Sequence, residues 1–570
     1  MHKMLAEGNR PVDLEQPMCT DQAHTTKVTQ QNPKITALLL CLLLVFPVVV
    51  YLPGTSGPFV FDDYTNLLNN DFRKVRTLDG HSLYHSAYSL KSGPLQRPIP
   101  MLSFAVNYYF AGSFADSTPY KLTNLAIHVI TTLLIFWLMR LVFRRATALG
   151  AVQGGTKLFQ VETATLLAAA VALLWSIHPI QLTSVLYVVQ RMAQLSALFT
   201  ILGLIFYLKG RIRLLDGHRD GIGLILFGLV GCGTLGLLSK ENAALLPLFV
   251  FALELTLFSK EPPWRVWPLL SVRIRIATLA GVVIALALVS VWAINYAMSG
   301  YVHRPFTLLE RVMTEWRVLV FYLLLILLPR ISAFGLQHDD VALSTSLLNP
   351  WTTLASLVVL AGLAVLAIYG RKKYPLFSLG ILWFFVAHAI ESTILSLEIA
   401  HEHRNYLASL GPILVIVYGL YLASLRFKAR VVWALLPLLA LTFAGTTLLR
   451  ASEWSDVHKL AYYEALHHPN SARAQAQLGS SLALQNRYPE AMQAVRRASE
   501  LDPRETGYLL TLHILANRAG IELEDEFKRQ VISRLRAPGK TTLTDILLQV
   551  IGDCILTSCA ALQDPMEKWL

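Results

Sequence analysis

Charged residues are scarce in this 570-residue chain: only 15% are Asp, Glu, Lys or Arg, whereas 54% are hydrophobic. Ordinary soluble domains carry about 25% charged residues, so this composition places the chain among membrane proteins. Cysteine is also rare. The five cysteines show no C-x-x-C spacing, and Cys41 and Cys232 lie within apolar segments. The sequence therefore predicts neither a disulfide framework nor a cysteine metal site.

The apolar residues are concentrated in runs long enough to cross about 30 Å of hydrocarbon. Basic clusters separate these runs, for example at residues 209–213 and 371–373. Because such clusters favour the cytoplasm, residues 1–34 are predicted to be a cytoplasmic tail and the C-terminal region to lie outside. The +12 net charge therefore reflects topology and not a nucleic-acid surface. About eleven spans are predicted, near residues 35–52, 121–143, 162–177, 183–208, 221–238, 243–258, 275–297, 351–370, 376–397, 407–425 and 431–448.

Two regions depart from this pattern. The apolar segment Val318–Leu328 has outward-facing loops on both sides and is predicted to be re-entrant or interfacial. Residues 451–570 are polar and helical in pattern, and residues 472–505 match one tetratricopeptide repeat. The predicted fold class is all-α: a polytopic membrane helix bundle over 35–450, followed by a C-terminal α-helical tetratricopeptide-like domain.

Paired carboxylates, Asp62 and Asp63, follow the first span in the predicted outer loop at 54–120. A carboxylate at the mouth of a membrane cavity can act as general base on a hydroxyl, and its neighbour can tune its pKa. An alternative is that one aspartate caps a helix. The two interpretations stay open on the residues alone.

Three further polar groups interrupt apolar runs. His178 precedes a predicted span in which Arg191 lies about 13 Å along the helix, where it would bind a phosphate or pair with a buried side chain. Lys240 would bind phosphate as a point charge, or it would form a local pair with Glu241 in a tight turn.

The third group lies near the outer end of the 376–397 span. On a continuous helix, His388, Glu391, Glu398 and Glu402 would form one stripe. His401, His403 and Arg404 would add cations suited to a phosphate leaving group. A divalent metal held by His388 and the glutamates is a less favoured alternative, because the spacing matches no specific site.

Taken in order, these motifs resemble the transmembrane and tetratricopeptide-repeat O-mannosyltransferases and their bacterial relatives, which are multi-span glycosyltransferases of the GT-C class. The match extends over residues 59–409. It is carried by Phe61-Asp62-Asp63 with Asn69-Asn70, Arg97-Pro98, Ser103-Phe104 with Asn107-Tyr108, Tyr120 to His128, His178 to Arg191, Ser239-Lys240-Glu241 and Glu402 to Tyr406.

The resemblance implies that Asp62 is the catalytic base, with Asp63 in support. It also implies a polyprenyl-phosphate-linked sugar donor, inversion at the anomeric carbon and a hydroxyl acceptor, such as Ser or Thr of an exported protein recruited by the repeat region. No cofactor is assigned. The residues expected to bind the lipid phosphate or the sugar are Arg97, His178, Arg191, Lys240, Glu241, Glu398, Glu402, His403 and Arg404.

Other functions remain open at this point. The acceptor could be a lipid or a glycan. A transporter would use the same intramembrane charges as a pathway, although the sequence shows no repeated hydropathy halves. A membrane-tethered scaffold would work through the repeat region. The chain has no N-x-Ser/Thr sequon, and we therefore expect a bacterial inner membrane with a periplasmic outer face.

Overall fold

The computed structural model describes residues 33–90, 93–152, 157–259, 261, 294–295, 297–536, 544 and 547. Within these residues the chain is helical and has no strand. The predicted tail at 1–34 and the predicted span at 275–297 fall largely outside the described residues. The α-helices are α1 Pro33–Tyr51, α2 Gly80–Ala87, α3 Pro98–Ala111, α4 Thr118–Ala148, α5 Lys157–Ser176, α6 Leu182–Leu186, α7 Arg191–Leu215, α8 Gly221–Leu226, α9 Gly233–Leu237, α10 Leu246–Leu257, α11 Leu308–Leu327, α12 Thr352–Gly370, α13 Pro375–His388, α14 Asn405–Ala408, α15 Leu410–Arg426, α16 Ala429–Glu453, α17 Val457–His467, α18 Ala472–Leu484, α19 Tyr488–Leu501, α20 Gly507–Ala519 and α21 Asp525–Arg536.

Several of these helices are long and apolar enough to cross a membrane. In the described part of the chain there are five such helices, and there are seven if two pairs bent by 52° each form one span. Shorter apolar helices lie at Gly221–Leu237 and Pro375–His388. The protein is therefore an integral membrane protein, and the count of eleven spans stays a prediction.

Glycine allows some of these helices to touch through their backbones. A Cβ atom on Gly380 of α13 would lie 2.6 Å from the carbonyl oxygen of Gly411 in α15. Gly203 of α7 and Gly228 face each other in the same way, at 2.8 Å. Helices in lipid associate through such close packing, because no hydrophobic force drives them together there.

The apolar segment at 318–328 belongs to the longer helix α11. This helix begins with a capping box, in which Thr307 and Glu310 satisfy each other's backbone N–H groups. Its first half buries Arg311 and Glu315. The segment is thus the second half of an amphipathic helix. The buried ion pair lies in the first half of that helix, so the apolar segment alone did not indicate it.

The helix predicted over 376–397 ends early, at His388, and residues 389–401 form turns and loop. The carbonyl groups of Glu391 and Leu397 accept hydrogen bonds from Arg311, at 2.8 and 2.6 Å. Because this buried guanidinium satisfies the backbone acceptors, the loop needs no helical hydrogen bonds at these positions. The prediction of a single acidic stripe on one helix is therefore wrong for His388, Glu391, Glu398 and Glu402.

The span predicted at 183–208 is also broken. Helix α6 ends before Tyr187, a short 3-10 turn follows, and Arg191 is the first residue of α7. Asn124 donates to the freed carbonyl of Val188 at 3.1 Å. Side chains thus replace the missing helical bonds, as a broken helix within a membrane bundle requires. The prediction that Arg191 lies about 13 Å along a continuous helix is wrong.

The C-terminal region forms a second core. Helices α18 and α19 pack against each other, as the repeat pattern at 472–505 predicts for a helix pair, and α19 packs on α20. Their contact surface contains Ala491, Val495 and Leu515. Assignment of this region to the tetratricopeptide family stays a prediction.

Candidate active site

The two aspartates that follow α1 have opposite environments. Asp63 is fully buried, and its carboxylate accepts hydrogen bonds from the backbone N–H of Val60 at 3.0 Å and of Val189 at 2.7 Å. Burial raises the pKa of Asp63 to about 7, against the effect of these two bonds. Asp63 thus joins the loop after α1 to the break between α6 and α7, and its oxygens are engaged by the protein.

Asp62, in contrast, is exposed. Its backbone N–H donates to the hydroxyl of Tyr187 at 2.9 Å, which fixes the residue in place. Partial burial among the walls of the site raises the pKa of Asp62, while His401 and Arg97 oppose this effect and Glu398 adds to it. An accessible carboxylate with a raised pKa is suited to accept a proton.

Strained backbone flanks this carboxylate. Phe61, immediately before Asp62, has φ of 46°, and Arg97 has φ of 49° at the start of α3. Non-glycine residues in this region cost of order 1–3 kcal/mol, and they cluster at functional sites. The strained backbone at Phe61 and Arg97 thus sets the positions of the candidate site side chains of Asp62 and Arg97.

Arg97 forms a forked ion pair with Glu241. Its Nη2 lies 2.8 Å from Glu241 Oε2, and its Nε lies 3.3 and 3.2 Å from the two carboxylate oxygens. Gly93 covers the pair, since a Cβ there would lie 2.5 Å from Glu241 Oε1. Both side chains stay about one-fifth to one-quarter exposed. The pair joins the first outer loop to the turn that precedes α10 and can still be reached from solvent.

Lys240 pairs across the bundle and not with its neighbour in sequence. Its Nζ lies 2.6 Å from Glu391 Oε1, and both side chains are at least nine-tenths buried. His403 and Arg404 act electrostatically on the same carboxylate. The prediction of a local Lys240–Glu241 pair is wrong, because each residue has a distant partner of opposite charge.

The loop at 389–401 is held by buried arginines. Arg404 donates to the carbonyls of Ile399 and Glu398, at 2.9 and 2.5 Å. Glu315 lies 2.8 Å from Arg311 and 3.5 Å from Arg404, and so balances part of their charge. Both side-chain hydrogen bonds that the structure describes for Arg404 therefore position this loop.

The side chain of Glu398 connects this loop to the C-terminal region. Its carboxylate lies 3.1 Å from His401 Nε2 and 2.9 Å from Arg473 of α18. Burial alone would raise the pKa of Glu398, but these two partners outweigh it and hold the pKa below its usual range. Glu398 thus lies beside Asp62 and links the C-terminal region to the site.

Three predicted binding residues lie away from this cluster. Arg191 is fully buried and donates to Asn124 Oδ1 at 2.7 Å and to Asn107 Oδ1 at 2.8 Å. His178 is buried and bonds through Nε2 to the carbonyl of Ile326 at 2.9 Å. Glu402 pairs with Arg450 at 3.0 Å, beneath the C-terminal region. These contacts favour structural roles for all three.

The remaining predicted residues meet in two adjoining groups. Asp62, Arg97, Glu241 and Glu398 form the outer group, and Lys240, His403 and Arg404 form the inner one. A cavity of about 30 Å³ lies beside His403 and Arg404, with Asn242 and Thr200 in its wall. It has room for about one water molecule.

Sequence reasoning missed several residues that build this site. Tyr187 and Arg473 carry no local signal, since each contacts the site from another part of the chain. Arg311 and Glu315, by contrast, have the i, i+4 spacing of a helical ion pair. That spacing, inside an otherwise apolar helix, was a usable signal.

We expect Lys240→Met to destabilise the protein by about 3 kcal/mol, because it leaves the buried Glu391 carboxylate without its closest cation. Denaturant unfolding of the detergent-solubilised chain measures this. Adding Glu391→Gln should restore part of the loss. Glu241→Gln is the matched comparison: if it rescues Lys240→Met and Glu391→Gln does not, the cross-bundle pair is refuted.

Comparison with known proteins identifies relatives that are all named protein O-mannosyl-transferase. The chain is 28% identical over 201 residues to the Homo sapiens protein O-mannosyl-transferase TMTC4, an alignment that covers 34% of this chain and 26% of the relative. It is 27% identical over 195 residues to the Mus musculus protein of that name, with 33% and 25% covered. Caenorhabditis elegans protein O-mannosyl-transferase F38B6.6 is 23% identical over 177 residues, with 30% and 23% covered.

These relatives confirm the resemblance to the transmembrane and tetratricopeptide-repeat O-mannosyltransferases. The aligned part spans only about a quarter of each relative's length. No family model matches the chain. No solved structure matches it either.

Proposed function

We propose that this chain is a membrane glycosyltransferase that moves a sugar from a polyprenyl-phosphate carrier to a hydroxyl of an exported protein. The single observation that carries the proposal is the exposed carboxylate of Asp62, held by Tyr187 and surrounded by His401, Arg97 and Glu398. The names of the relatives supply the sugar-transfer class and the protein acceptor.

In this mechanism Asp62 accepts the proton of the acceptor hydroxyl as its oxygen attacks the anomeric carbon. The bond between that carbon and the phosphate oxygen breaks, and both electrons leave with the lipid phosphate. Attack from the face opposite the phosphate inverts the configuration. A phosphate leaves without a protonating acid, so the site needs one base, positioning and cations. Asp63 supports Asp62 by fixing the loop.

The accessible and half-buried basic side chains are the best candidates for the lipid phosphate, Arg97 as a cation and the two histidines as hydrogen-bond donors. Arg97 is partly accessible, and His401 and His403 stack with ring centres 5.0 Å apart at the inner edge of the cluster. Lys240 and Arg404 lie behind them and add positive potential. We propose Glu241 as the residue that orients Arg97, and Glu398 as the one that orients His401.

The topology that fits this mechanism has the N-terminus in the cytoplasm, about eleven spans, and the catalytic loop and repeat region in the periplasm of a bacterial inner membrane. The pairing of Arg473 with Glu398 supports a C-terminal region on the same side as the site. An acceptor protein bound by the repeats would then lie next to Asp62.

We expect sugar transfer to be lost on acidification with an apparent pKa above the ordinary Asp value of about 3.9. The pKa of Asp62 is raised by partial burial, and only the ionised form accepts a proton. Activity is therefore full above this pKa and falls as pH drops through it. The profile of kcat/KM against pH measures this. Glu398→Gln removes a charge that raises the pKa, so an acidic limb that does not shift to lower pH contradicts the assignment.

The direct test uses the full chain, purified and placed in nanodiscs. We expect polyprenyl-phosphate mannose and a Ser/Thr-rich peptide to yield a peptide one hexose heavier, with inverted anomeric configuration by NMR. Replacement of the peptide by lipid and glycan acceptors tests the alternative acceptors. No transfer to any acceptor, from mannose and glucose donors alike, would reject the enzyme proposal.

A further inference from the structure

A cluster of two histidines and one aspartate lies outside the catalytic site, where the loop after α11 meets the C-terminal region. His338 and Asp340 belong to that loop, and His468 follows the last turn of α17. Ligand atoms from all three residues lie within 4.8 Å of one another. Both histidines are more than nine-tenths buried, whereas Asp340 is exposed.

His338 has a nitrogen without a hydrogen-bonding partner among the described residues. Its Nε2 is buried, and the nearest carboxylate oxygen, Oε1 of Glu402, is 3.8 Å away. That distance is too long for a hydrogen bond. A buried imidazole nitrogen left unpaired costs about 1–3 kcal/mol, so it calls for a bound group that the protein itself does not supply.

His468 has the orientation of a metal-binding histidine. Its Nε2 bonds to the carbonyl of Phe334 at 3.1 Å, which directs Nδ1 toward Asp340 Oδ2, 2.9 Å away. Metal-binding histidines commonly donate their second ring nitrogen to a backbone carbonyl, which fixes the tautomer and the ring. Nδ1 thus faces the same space as Asp340 and His338, and it would have to lose its proton to bind a metal.

We propose that His338, Asp340 and His468 bind a divalent cation of the Zn²⁺ class. Imidazole and carboxylate ligands suit Zn²⁺, and its tetrahedral sites place ligand atoms about 3.4 Å apart. Small side-chain rotations close the present cluster to that size. Glu402, which already accepts from Arg450 and from the backbone N–H of Gly335, lies close enough to complete the set or to hold a bound water.

The site would fasten the C-terminal region to the membrane domain. Glu464, one helical turn before His468, already accepts from the backbone N–H of Leu336 at 2.9 Å. Ser471 and Arg473 contact Asp339 on the other side of the cluster. A metal between these contacts would lock the loop at 334–340 onto α17 and α18, and so hold Arg473 against Glu398.

The test uses the full chain in detergent, stripped with EDTA and titrated with Zn²⁺. We expect one Zn²⁺ per chain by elemental analysis and a higher unfolding temperature on binding. His338→Gln and His468→Asn should each weaken binding at least 10-fold, whereas His467→Asn, at the adjacent half-buried histidine, should bind as the native chain does. A native chain with no saturable Zn²⁺ binding overturns the proposal.

Cobalt provides a readout that does not depend on stability. Co²⁺ bound by histidine and carboxylate ligands in tetrahedral geometry gives visible absorption bands. We expect these bands in the native chain and in His467→Asn, and their loss in Asp340→Asn, which keeps the size of the ligand side chain. Equal bands in Asp340→Asn and in the native chain would refute the assigned ligand set.

Discussion

Asp62→Asn is expected to lower kcat of sugar transfer by about 10²- to 10⁴-fold, the usual contribution of a general base. The amide retains the size of the side chain and cannot accept the proton. The backbone N–H of Asp62 still donates to Tyr187, so the loop should stay in place. Expression, unfolding temperature and donor binding are therefore expected to change little. Transfer from a radiolabelled polyprenyl-phosphate sugar, with purified variants at equal concentration, measures the effect.

Asp71→Asn is the matched control for that experiment. Asp71 lies in the same outer loop, is 88% exposed and pairs only with nearby Lys74 in the described structure. Its replacement should leave kcat within about two-fold of native, since exposed ion pairs contribute little. If Asp62→Asn and Asp71→Asn have similar activity, Asp62 is not the base. If Asp63→Asn alone abolishes transfer while the fold persists, the roles of the two aspartates are reversed.

Arg191→Met is expected to destabilise the chain by at least about 4 kcal/mol, because buried acceptors each cost about 1–3 kcal/mol when their donor is removed. The acceptors are Asn124 Oδ1, Asn107 Oδ1 and the carbonyl of Tyr120, at 2.7 to 2.9 Å. The guanidinium also lies over the ring of Phe104, 4.3 Å from its centre. Denaturant unfolding in detergent, monitored by tryptophan fluorescence, measures the loss.

Arg191→Lys separates this structural role from phosphate binding. A lysine keeps the charge but not the planar fork of donors, so we expect most of the destabilisation to remain. Arg213→Lys is the control, since Arg213 lies on the same helix and forms an exposed pair with Asp220. A stable Arg191→Lys variant with weaker donor binding would instead assign Arg191 to the lipid phosphate.

The sequence was sufficient to predict candidate site residues, but not the contacts that these residues make. A carboxylate pair after an apolar run is a local feature, so Asp62 and Asp63 could be found as candidates. Their division into one buried and one accessible group depends on Val60 and Val189, and the second of these lies more than a hundred residues away. No periodicity or spacing contains that pairing.

The wrong predictions have a common physical cause. Continuing the 376–397 helix gave one acidic stripe, but Arg311 binds the loop carbonyls and the helix ends at His388. Pairing Lys240 with its neighbour was the simplest local choice, but the buried carboxylate of Glu391, in the loop after α13, is its partner. In both cases a charged group from a distant part of the chain replaced the local partner, as the cost of an unpaired charge in a buried setting requires.

The same physical cause explains which helices could be predicted from the sequence and which helix breaks could not. Apolar length and basic clusters predicted the long helices, because a span must satisfy its own backbone in lipid. The breaks at Tyr187 and after His388 were not predictable, since Asn124, Asp63 and Arg311 supply the compensating hydrogen bonds from elsewhere.

Sugar transfer to exported protein can be measured in cells by intact-mass analysis. Exported proteins are compared from cells with the native chain, with Asp62→Asn at matched expression, and with the gene deleted. We predict hexose-sized adducts on Ser- or Thr-containing exported proteins in the native cells only. Identical masses in all three, with lipid-linked glycans also unchanged, would contradict the proposal that this chain is a glycosyltransferase.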